Sequence, residues 1–557
     1  MHSRSSSRLV SVAGGLTAAA LLLASCSSDT SAPGADEDVA PVTGGTLVYA
    51  SGDAEPTCLD PHVGGNYPQS LVSSQYLETL FTATDDGEIV PWLAEDSEVS
   101  EDGLTHTITV REGITFHDGT ELTAEAVKAN IEHLQDPDTA SSTGWLAVQK
   151  VESIELPDER TAVLHLSAPD NALEESLSMI WTAIQSPEAL ERDQDTNCAD
   201  PVGTGPFQVE SWDRQTAVNL VRNEDYVLPA EDAHVAAHDE DTPGSYLDGI
   251  TWRFIPEAAT RYSALQSGEV HVIDNAQPDT ISSAEQTDLG HLDAPRPGAS
   301  NRIELNSSKA PFDDATVREA FIRAVDVDSA VESLFFGTAQ RSHSLLSSVE
   351  PLGVSDDSLF GQDVERANEL LDEAGWTERD DDGVRTRDGE RLELTFPVST
   401  NQSVPAEQSL FEQLQAQAAE VGFDVTINLL DLSSWYGALA EHNYDLVSAP
   451  YTKVGPSVLR ILYHSDSTVP APSGYFANNA QVTLDELDEI LIEAEQTSDD
   501  AEREQLYEQA QRTVLEDYYV LPLYDQQNHF LYSDDVHGMG ETTAVSSPIY
   551  YNVFLEQ

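Results

Sequence analysis

The sequence offers few combinations of side chains that could carry out a reaction. His234 and His238 are four residues apart in the acidic stretch 231–241, so a helix would place both rings on one face near carboxylates, a spacing that can bind a divalent metal. The other interpretation, a solvated surface loop, is the one we favour, and we therefore expect no metal and no cofactor. The sequence contains no Gly-x-Ser-x-Gly, His-Glu-x-x-His or comparable catalytic arrangement, which predicts a protein that is not an enzyme.

Two cysteines in the body of the chain could react with each other. Neither Cys58 nor Cys198 has another Cys or His at metal-ligand spacing, so the sequence does not support a metal or catalytic role for them. In a chain exported from the cytoplasm, two such thiols favour one disulfide. Two buried free thiols are the alternative.

The third cysteine follows an export signal. Arg4 and Arg8 precede a short apolar stretch at residues 9–24, and the segment ends in Leu23-Ala24-Ser25-Cys26, which resembles a bacterial lipobox. We therefore expect residues 1–25 to be a signal peptide, Cys26 to carry a lipid, and residues 26–43 to be a flexible tether, because they are rich in Ser, Asp, Pro and Gly. The predicted location is the extracytoplasmic face of the cell membrane, and a plain secretory signal with an incidental cysteine is the alternative.

Composition excludes one class of function. The formal charge is 26 − 100 = −74, and only four residues are lysine, at positions 128, 150, 309 and 453. A field this negative argues against nucleic-acid binding, which needs a basic surface. The length of 557 residues is too great for one hydrophobic core, so we expect more than one domain in a monomeric chain.

The elements that would position a site can be read from hydrophobic periodicity. His106, Ile108 and Val110 alternate with threonines, as in a half-buried strand, and the Asp118-Gly119 pair predicts a tight turn. A helix should follow over residues 124–134, capped by Thr123. Farther along, strands alternate with helices, which predicts an α/β architecture with a mostly parallel sheet in the second half.

Four segments in the same order resemble one protein family. They are residues 103–134, the glycine-rich segment 201–207 with its continuation 219–226, residues 262–273, and residues 311–326. Together they are similar to the extracytoplasmic solute-binding proteins of family 5, the oligopeptide, dipeptide and nickel type. The resemblance implies a periplasmic-binding-protein-like type II α/β fold (cluster C), with two lobes around a cleft and an extra subdomain in the first lobe. The implied boundaries are 44–75, 200–299 and 521–557 for lobe I, 76–199 for the extra subdomain, and 300–520 for lobe II.

The resemblance also implies where a solute would bind. By family position, the candidate ligand-binding residues are Asn66, Tyr67, Asn401, Trp435, Tyr436, Tyr451 and Lys453. Peptide-binding members carry an acid near the position of Lys453 that pairs with the peptide amino terminus, and dipeptide binders carry an Arg near Asn401. Because both charges are replaced here, we do not expect the classical recognition of peptide termini. The expected solute is a peptide or a peptide-like compound, and Lys453 could meet a carboxylate or phosphate on it. A surface lysine in one weak ion pair is the alternative interpretation of Lys453, and each aromatic residue could instead belong to the core.

The implied function is that of the substrate-binding component of an ABC import system. Such a protein captures a small solute between its lobes and delivers it to a membrane permease. Two other functions remain open on the sequence alone: a secreted hydrolase, and a ligand-sensing lipoprotein that signals without import.

Overall fold

The structure is a computed structural model, and it describes residues 40–84, 87–230, 244–400, 403–448, 451–497, 499–542 and 547–556. Several predictions above concern residues outside the described ranges, namely the signal segment 1–25, Cys26 with most of the tether, His234, His238 and Asn401. Residues from Val42 onward form one compact unit, and all of the elements below belong to it. No helix in the described ranges has the length and apolar character needed to cross a membrane.

The strands of this unit are as follows. They are β1 (Thr46–Ser51), β2 (Phe81–Ala83), β3 (Ile89–Pro91), β4 (Ala94–Val99), β5 (Thr105–Val110), β6 (Val151–Glu155), β7 (Thr161–Leu166), β8 (Phe207–Asp213), β9 (Ala217–Arg222), β10 (Gly249–Phe254), β11 (Val272–Ile273), β12 (Gly290–Pro295), β13 (Asn301–Leu305), β14 (Glu378–Arg379), β15 (Arg385–Arg387), β16 (Glu390–Arg391), β17 (Glu393–Ser399), β18 (Asp424–Leu430), β19 (Leu446–Ser448), β20 (Val520–Tyr524), β21 (Gln527–Tyr532), β22 (Val536–His537), β23 (Gly540–Thr542), β24 (Ser547–Ile549) and β25 (Phe554–Leu555).

The helices follow in chain order. They are α1 (Tyr67–Ser73), α2 (Ala124–Gln135), α3 (Thr143–Val148), α4 (Leu173–Leu177), α5 (Pro187–Leu190), α6 (Gln194–Ala199), α7 (Ala258–Gln266), α8 (Pro278–Ala284), α9 (Ala315–Ala324), α10 (Val327–Phe335), α11 (Val364–Glu373), α12 (Pro405–Val421), α13 (Leu432–Ala440), α14 (Val458–Tyr463), α15 (Asp485–Gln496) and α16 (Asp500–Glu516), with short 3₁₀ turns at Pro137–Thr139, Ile180–Thr182, Asp357–Leu359 and Ser465–Thr468.

The first lobe is built on a seven-stranded mixed sheet in the order β12-β21-β11-β1-β10-β9-β8. β1 lies parallel to β10 and β11, and the other pairs are antiparallel. The rings of Tyr49 and Trp252 stack on this sheet with centroids 3.7 Å apart, and both are buried. Large aromatic side chains of this kind supply much of the apolar area that holds such a core together.

An inserted subdomain carries the four-stranded antiparallel sheet β4-β5-β7-β6. His106, Ile108 and Val110 of β5 are buried and the intervening threonines are half-buried, which is the alternation seen in the sequence. The turn at Asp118-Gly119 is closed by a hydrogen bond from the Phe116 N–H to the Thr120 carbonyl. A disulfide between Cys58 and Cys198 spans 140 residues and ties a loop after β1 to α6.

The second lobe has its own large hydrophobic core, which runs from Ala299 to Tyr524. It contains the antiparallel sheet β19-β13-β20 and the parallel pair β17-β18. The predicted return of the chain to lobe I is at residue 521, and the structure places it later. β20 is buried in the second lobe against β13, and the chain returns only at β21, which pairs with β12. β20 is uniformly apolar, so its residues alone did not indicate which core it joins.

Candidate functional site

A cavity lies between the two lobes. The first lobe and its subdomain contribute Gly65, Asn66, Tyr67, Ser142, Thr143 and Trp181; the second lobe contributes Trp435, Tyr436, Tyr451, Thr452 and Tyr475; Arg296 lies at the crossing between them. Five of the seven residues chosen by family position therefore line one space. The wall is mostly aromatic, which suits the apolar body of a small organic ligand.

The wall on the first-lobe side is fixed by a helix start. Asn66 caps α1: its side chain accepts from the Gln69 N–H at 3.2 Å, and the Gln69 carboxamide oxygen accepts from the Asn66 N–H at 3.0 Å. This capping box satisfies backbone donors at the helix end and fixes Tyr67 at its first turn. The indole N–H of Trp181 donates to the Asn66 carbonyl at 3.3 Å and places a second ring in the same wall.

The wall on the second-lobe side is an aromatic cluster on and near α13. Trp435 and Tyr436 have ring centroids 5.1 Å apart, and Tyr436 meets Tyr475 edge to face at 5.8 Å. Trp435 is 1% exposed, and its indole N–H has no hydrogen-bond partner among the described residues. A buried donor without a partner costs free energy, and the Trp435 side chain is part of the cavity wall.

Arg296 is the one charged residue among the described residues that line this cavity. Its guanidinium carbon lies 3.6 Å from the centre of the Tyr67 ring, in a cation–π contact. Nε donates to Asn528 Oδ1 and Nη1 donates to Gln526 Oε1, both at 3.0 Å. These neutral partners hold the group in place, and within the described ranges no carboxylate lies within 4 Å of it, so its charge is not neutralised by a direct ion pair.

A carboxyl group lies in a second cavity that Arg296 also borders. Glu407 is 4% exposed and accepts from Asn301 Nδ2 at 2.7 Å. Burial raises the pKa of Glu407 to about 7, although its hydrogen bonds and Arg296 act in the opposite direction. Near neutral pH this carboxyl is therefore partly protonated and only partly offsets the charge of Arg296.

Lys453 does not line the cavity between the aromatic walls. It is 4% exposed, and its Nζ lies 2.6 Å from Ser457 Oγ and 3.4 Å from Glu175 Oε2, with Glu175 coming from α4 of the inserted subdomain. Ser457 Oγ also donates to Glu175 at 2.6 Å. The prediction that a ligand anion meets Lys453 therefore changes, because a carboxylate of the protein already occupies that position.

A second ionic cluster joins the subdomain to the second lobe. Nζ of Lys150 lies 2.6 Å from Glu495 and 3.0 Å from Asp170, and Arg460 lies 3.5 Å from Glu495. Lys150 and Asp170 belong to the subdomain, whereas Glu495 and Arg460 lie on α15 and α14 of the second lobe. Burial alone would lower the pKa of Lys150, but Glu495 and Asp170 outweigh it and raise that pKa, so the lysine stays charged.

Sequence reasoning missed Arg296, Trp181 and Tyr475. Arg296 lies in the segment between β12 and β13, which forms neither a helix nor a strand and has no motif or periodicity that would identify it. One signal was present: Arg296 stands between two prolines and before Gly298, in a segment of restricted backbone where the lobes must connect.

Known proteins match this chain over most of its length. The family described as bacterial extracellular solute-binding proteins, family 5 Middle, matches residues 88–471. The glutathione-binding protein GsiB of Salmonella typhi is 29% identical over 487 residues, which cover 84% of this chain and 86% of that protein.

Two solved structures show the same fold. DppA of Helicobacter pylori in complex with the peptide STSA has a TM-score of 0.78 at 23% identity, covering 93% of this chain and 99% of that one. The oligopeptide-binding protein AppA of Bacillus subtilis, in complex with a nonapeptide, has a TM-score of 0.79 at 21% identity, covering 93% and 100%. The predicted α/β type II binding-protein fold is thereby confirmed.

Proposed function

The chain belongs to family 5 of the bacterial extracellular solute-binding proteins, and from that premise we propose that its cleft selects a peptide-like solute bearing a carboxylate, bound by Arg296. Members of this family are the substrate-binding components of ABC importers. They capture a solute outside the cytoplasm and do not transform it, so the hydrolase hypothesis is set aside.

The observation that carries the choice of solute is the charge of the cavity wall. Arg296 is held by two neutral amides and a tyrosine ring, and it has no carboxylate partner within ion-pair distance in the described part of the chain. A guanidinium beside aromatic rings favours a carboxylate, because the planar group can donate two parallel hydrogen bonds.

The peptide-like character rests on the relatives. GsiB is named for glutathione, a tripeptide with two carboxylates, and DppA holds the peptide STSA. Several side chains of the cavity wall are aromatic, which suits the apolar parts of such a solute. We therefore assign short acidic peptides and their derivatives as the solute class.

We further propose that the chain is a monomeric lipoprotein that delivers its solute to a membrane permease. The support is the segment that ends in Leu23-Ala24-Ser25-Cys26, with a polar tether after it. Growth in labelled palmitate, followed by mass spectrometry of the N-terminal peptide, tests the lipid on Cys26. A mature protein that lacks Cys26, or that carries Cys26 with a free thiol, would contradict this proposal.

Isothermal titration tests the solute class. The probes are reduced glutathione, the peptide Ser-Thr-Ser-Ala and the C-terminal amide of that peptide. We expect the free-acid forms to bind more tightly than the amide, and Arg296→Gln to weaken the free-acid probes about 10- to 100-fold, the loss of one charged hydrogen-bonded contact. Arg253→Gln, which removes a surface arginine paired with Glu269 on the first lobe, is the matched control.

Two outcomes would contradict the proposal. One is equal affinity for the acid and the amide, and the other is an Arg296→Gln protein that binds the acid as the parent does. Uptake of the bound probe by cells with and without the permease separates import from a sensing role.

A further inference from the structure

Three potential metal ligands converge outside the solute cavity. Asp60 and His62 lie in the loop between β1 and α1, and His133 lies in the last turn of α2 in the inserted subdomain. One ligand atom from each falls within 4.8 Å of the other two. The Nδ1 atoms of His62 and His133 are 3.1 Å apart. Two nitrogens bound to one tetrahedral zinc at about 2.0–2.1 Å would lie roughly 3.3 Å apart, so little movement separates the two arrangements.

The hydrogen bonds around His62 fix which nitrogen is available. Its Nε2 lies 2.8 Å from the Ala183 carbonyl oxygen, which can only accept, so Nε2 carries the hydrogen. In the neutral ring, Nδ1 therefore carries the lone pair and faces His133. Donation of the remote ring N–H to a backbone carbonyl is the usual way in which a metal-binding histidine is oriented.

Asp60 is oriented in the same manner. Oδ1 accepts from Gln185 Nε2 at 2.7 Å and from the His62 N–H at 2.9 Å, and Oδ2 accepts from Asn197 Nδ2 at 2.9 Å. Among the described residues no Lys or Arg pairs with this buried carboxylate. Each oxygen retains capacity to bind a cation, and a buried carboxylate with amide donors alone is otherwise incompletely compensated.

We propose that Asp60, His62 and His133 form a binding site for a divalent transition metal ion of the Zn²⁺ type, separate from the solute cavity. Two imidazoles and one carboxylate are a donor set that zinc favours, with a solvent molecule as the fourth ligand. Asp60 and His62 are buried and His133 is half-buried, so the ion would enter past His133.

The position of the site assigns the ion a structural role. It would join the loop after β1, already tied to α6 by the Cys58–Cys198 disulfide, to α2 of the subdomain. The formal charge of −74 draws divalent cations toward the protein generally, so the specific site has to be distinguished from weak carboxylate binding. A simple hydrogen bond between two neutral histidines is the competing explanation, and it requires no ion.

The test is zinc binding by the full-length protein, stripped with a chelator and titrated with ZnCl₂ against a chromogenic chelator in excess Mg²⁺. All of the proteins tested also carry His234→Gln and His238→Gln, because these two histidines, four residues apart in the sequence, are a second possible metal-binding pair. We expect one tight Zn²⁺ per chain, and at least about 100-fold weaker binding in His133→Gln, since even loss of an outer partner costs about 10- to 100-fold. His291→Gln, from a second histidine pair with ring nitrogens 3.0 Å apart, should bind as the parent does.

X-ray absorption at the zinc edge provides a readout that does not depend on affinity. The parent should show two imidazole ligands, and Asp60→Asn should keep both while losing affinity. The proposal is overturned if the parent binds no tight ion, if His133→Gln retains the same stoichiometry and affinity, or if the bound zinc shows oxygen ligands only. Circular dichroism melts in chelator establish that each variant is folded.

Discussion

Replacing Lys150 with methionine tests whether the ionic cluster between the subdomain and the second lobe holds the cleft shut. The ammonium group pairs with Glu495 of the second lobe at 2.6 Å, and the two side chains are 19% and 7% exposed. Removing one partner of a fully buried pair costs about 3–5 kcal/mol. Arg460 lies 3.5 Å from Glu495 and remains to compensate, so we expect about 1.5–3 kcal/mol.

The loss of this ion pair destabilises the closed form specifically, because Lys150 and Glu495 lie on opposite lobes. A loss of about 1.5–3 kcal/mol in closure lowers the apparent solute affinity about 10- to 100-fold and should act mainly on the dissociation rate. Titration with glutathione or Ser-Thr-Ser-Ala measures the affinity, and small-angle scattering of the solute-free protein measures the shift toward an open, larger radius of gyration. Lys309→Met is the matched control, since Lys309 pairs with Asp445 at 3.0 Å within the second lobe.

The cluster is not a closing device if Lys150→Met binds the probes as tightly as the parent, or if Lys309→Met loses as much affinity. A double-mutant cycle with Glu495→Gln isolates the pair. We expect the double variant to lose less than the sum of the single changes, because each single change leaves an unpaired group behind.

Three other changes test separate features. Burial raises the pKa of Glu407 from its ordinary value of 4.5 to about 7, so its contribution to stability is full below pH 4.5 and is lost as the pH rises through 7. Glu407→Gln should remove this pH dependence, which amounts to up to about 3 kcal/mol of unfolding free energy, and parallel pH profiles for parent and variant would refute the assignment. Cys58→Ser with Cys198→Ser should lower stability by about 2–5 kcal/mol in denaturant melts, and an unchanged midpoint would show that the bond is dispensable. Lys453→Met leaves Glu175 without its cation and should weaken probe binding less than Arg296→Gln does; a larger loss would return Lys453 to the solute site.

Family position and local pattern predicted part of the aromatic walls, but not Trp181 or Tyr475. Asn66 and Tyr67 begin a helix whose capping residues are adjacent in sequence, and Trp435 and Tyr436 lie on one short helix. Contacts of this kind depend on neighbours within a few residues, and that information is present in a single sequence. The alternation in β5 was readable for the same reason.

The charges could not be assigned in this way, because their partners are distant in sequence. Lys453 was predicted to bind the solute partly because the chain has only four lysines, but the carboxylate that it contacts, Glu175, is 278 residues away in the sequence. Arg296 becomes the cation of the cavity only once two lobes and a crossing segment are assembled around it. Likewise, His62 and His133 are 71 residues apart and have no motif in common.

Arg296 also joins the two segments that connect the lobes. Its backbone N–H donates to the Gln526 carbonyl at 2.9 Å, while its side chain bonds to Gln526 and Asn528, so the outgoing strand β12 and the returning strand β21 are fastened at this residue. Atoms near a pivot move least when the parts on either side rotate. A solute bound to this guanidinium would therefore meet its first binding group already in position while the lobes are apart. The tryptophan and tyrosine rings would enclose the solute when the lobes close.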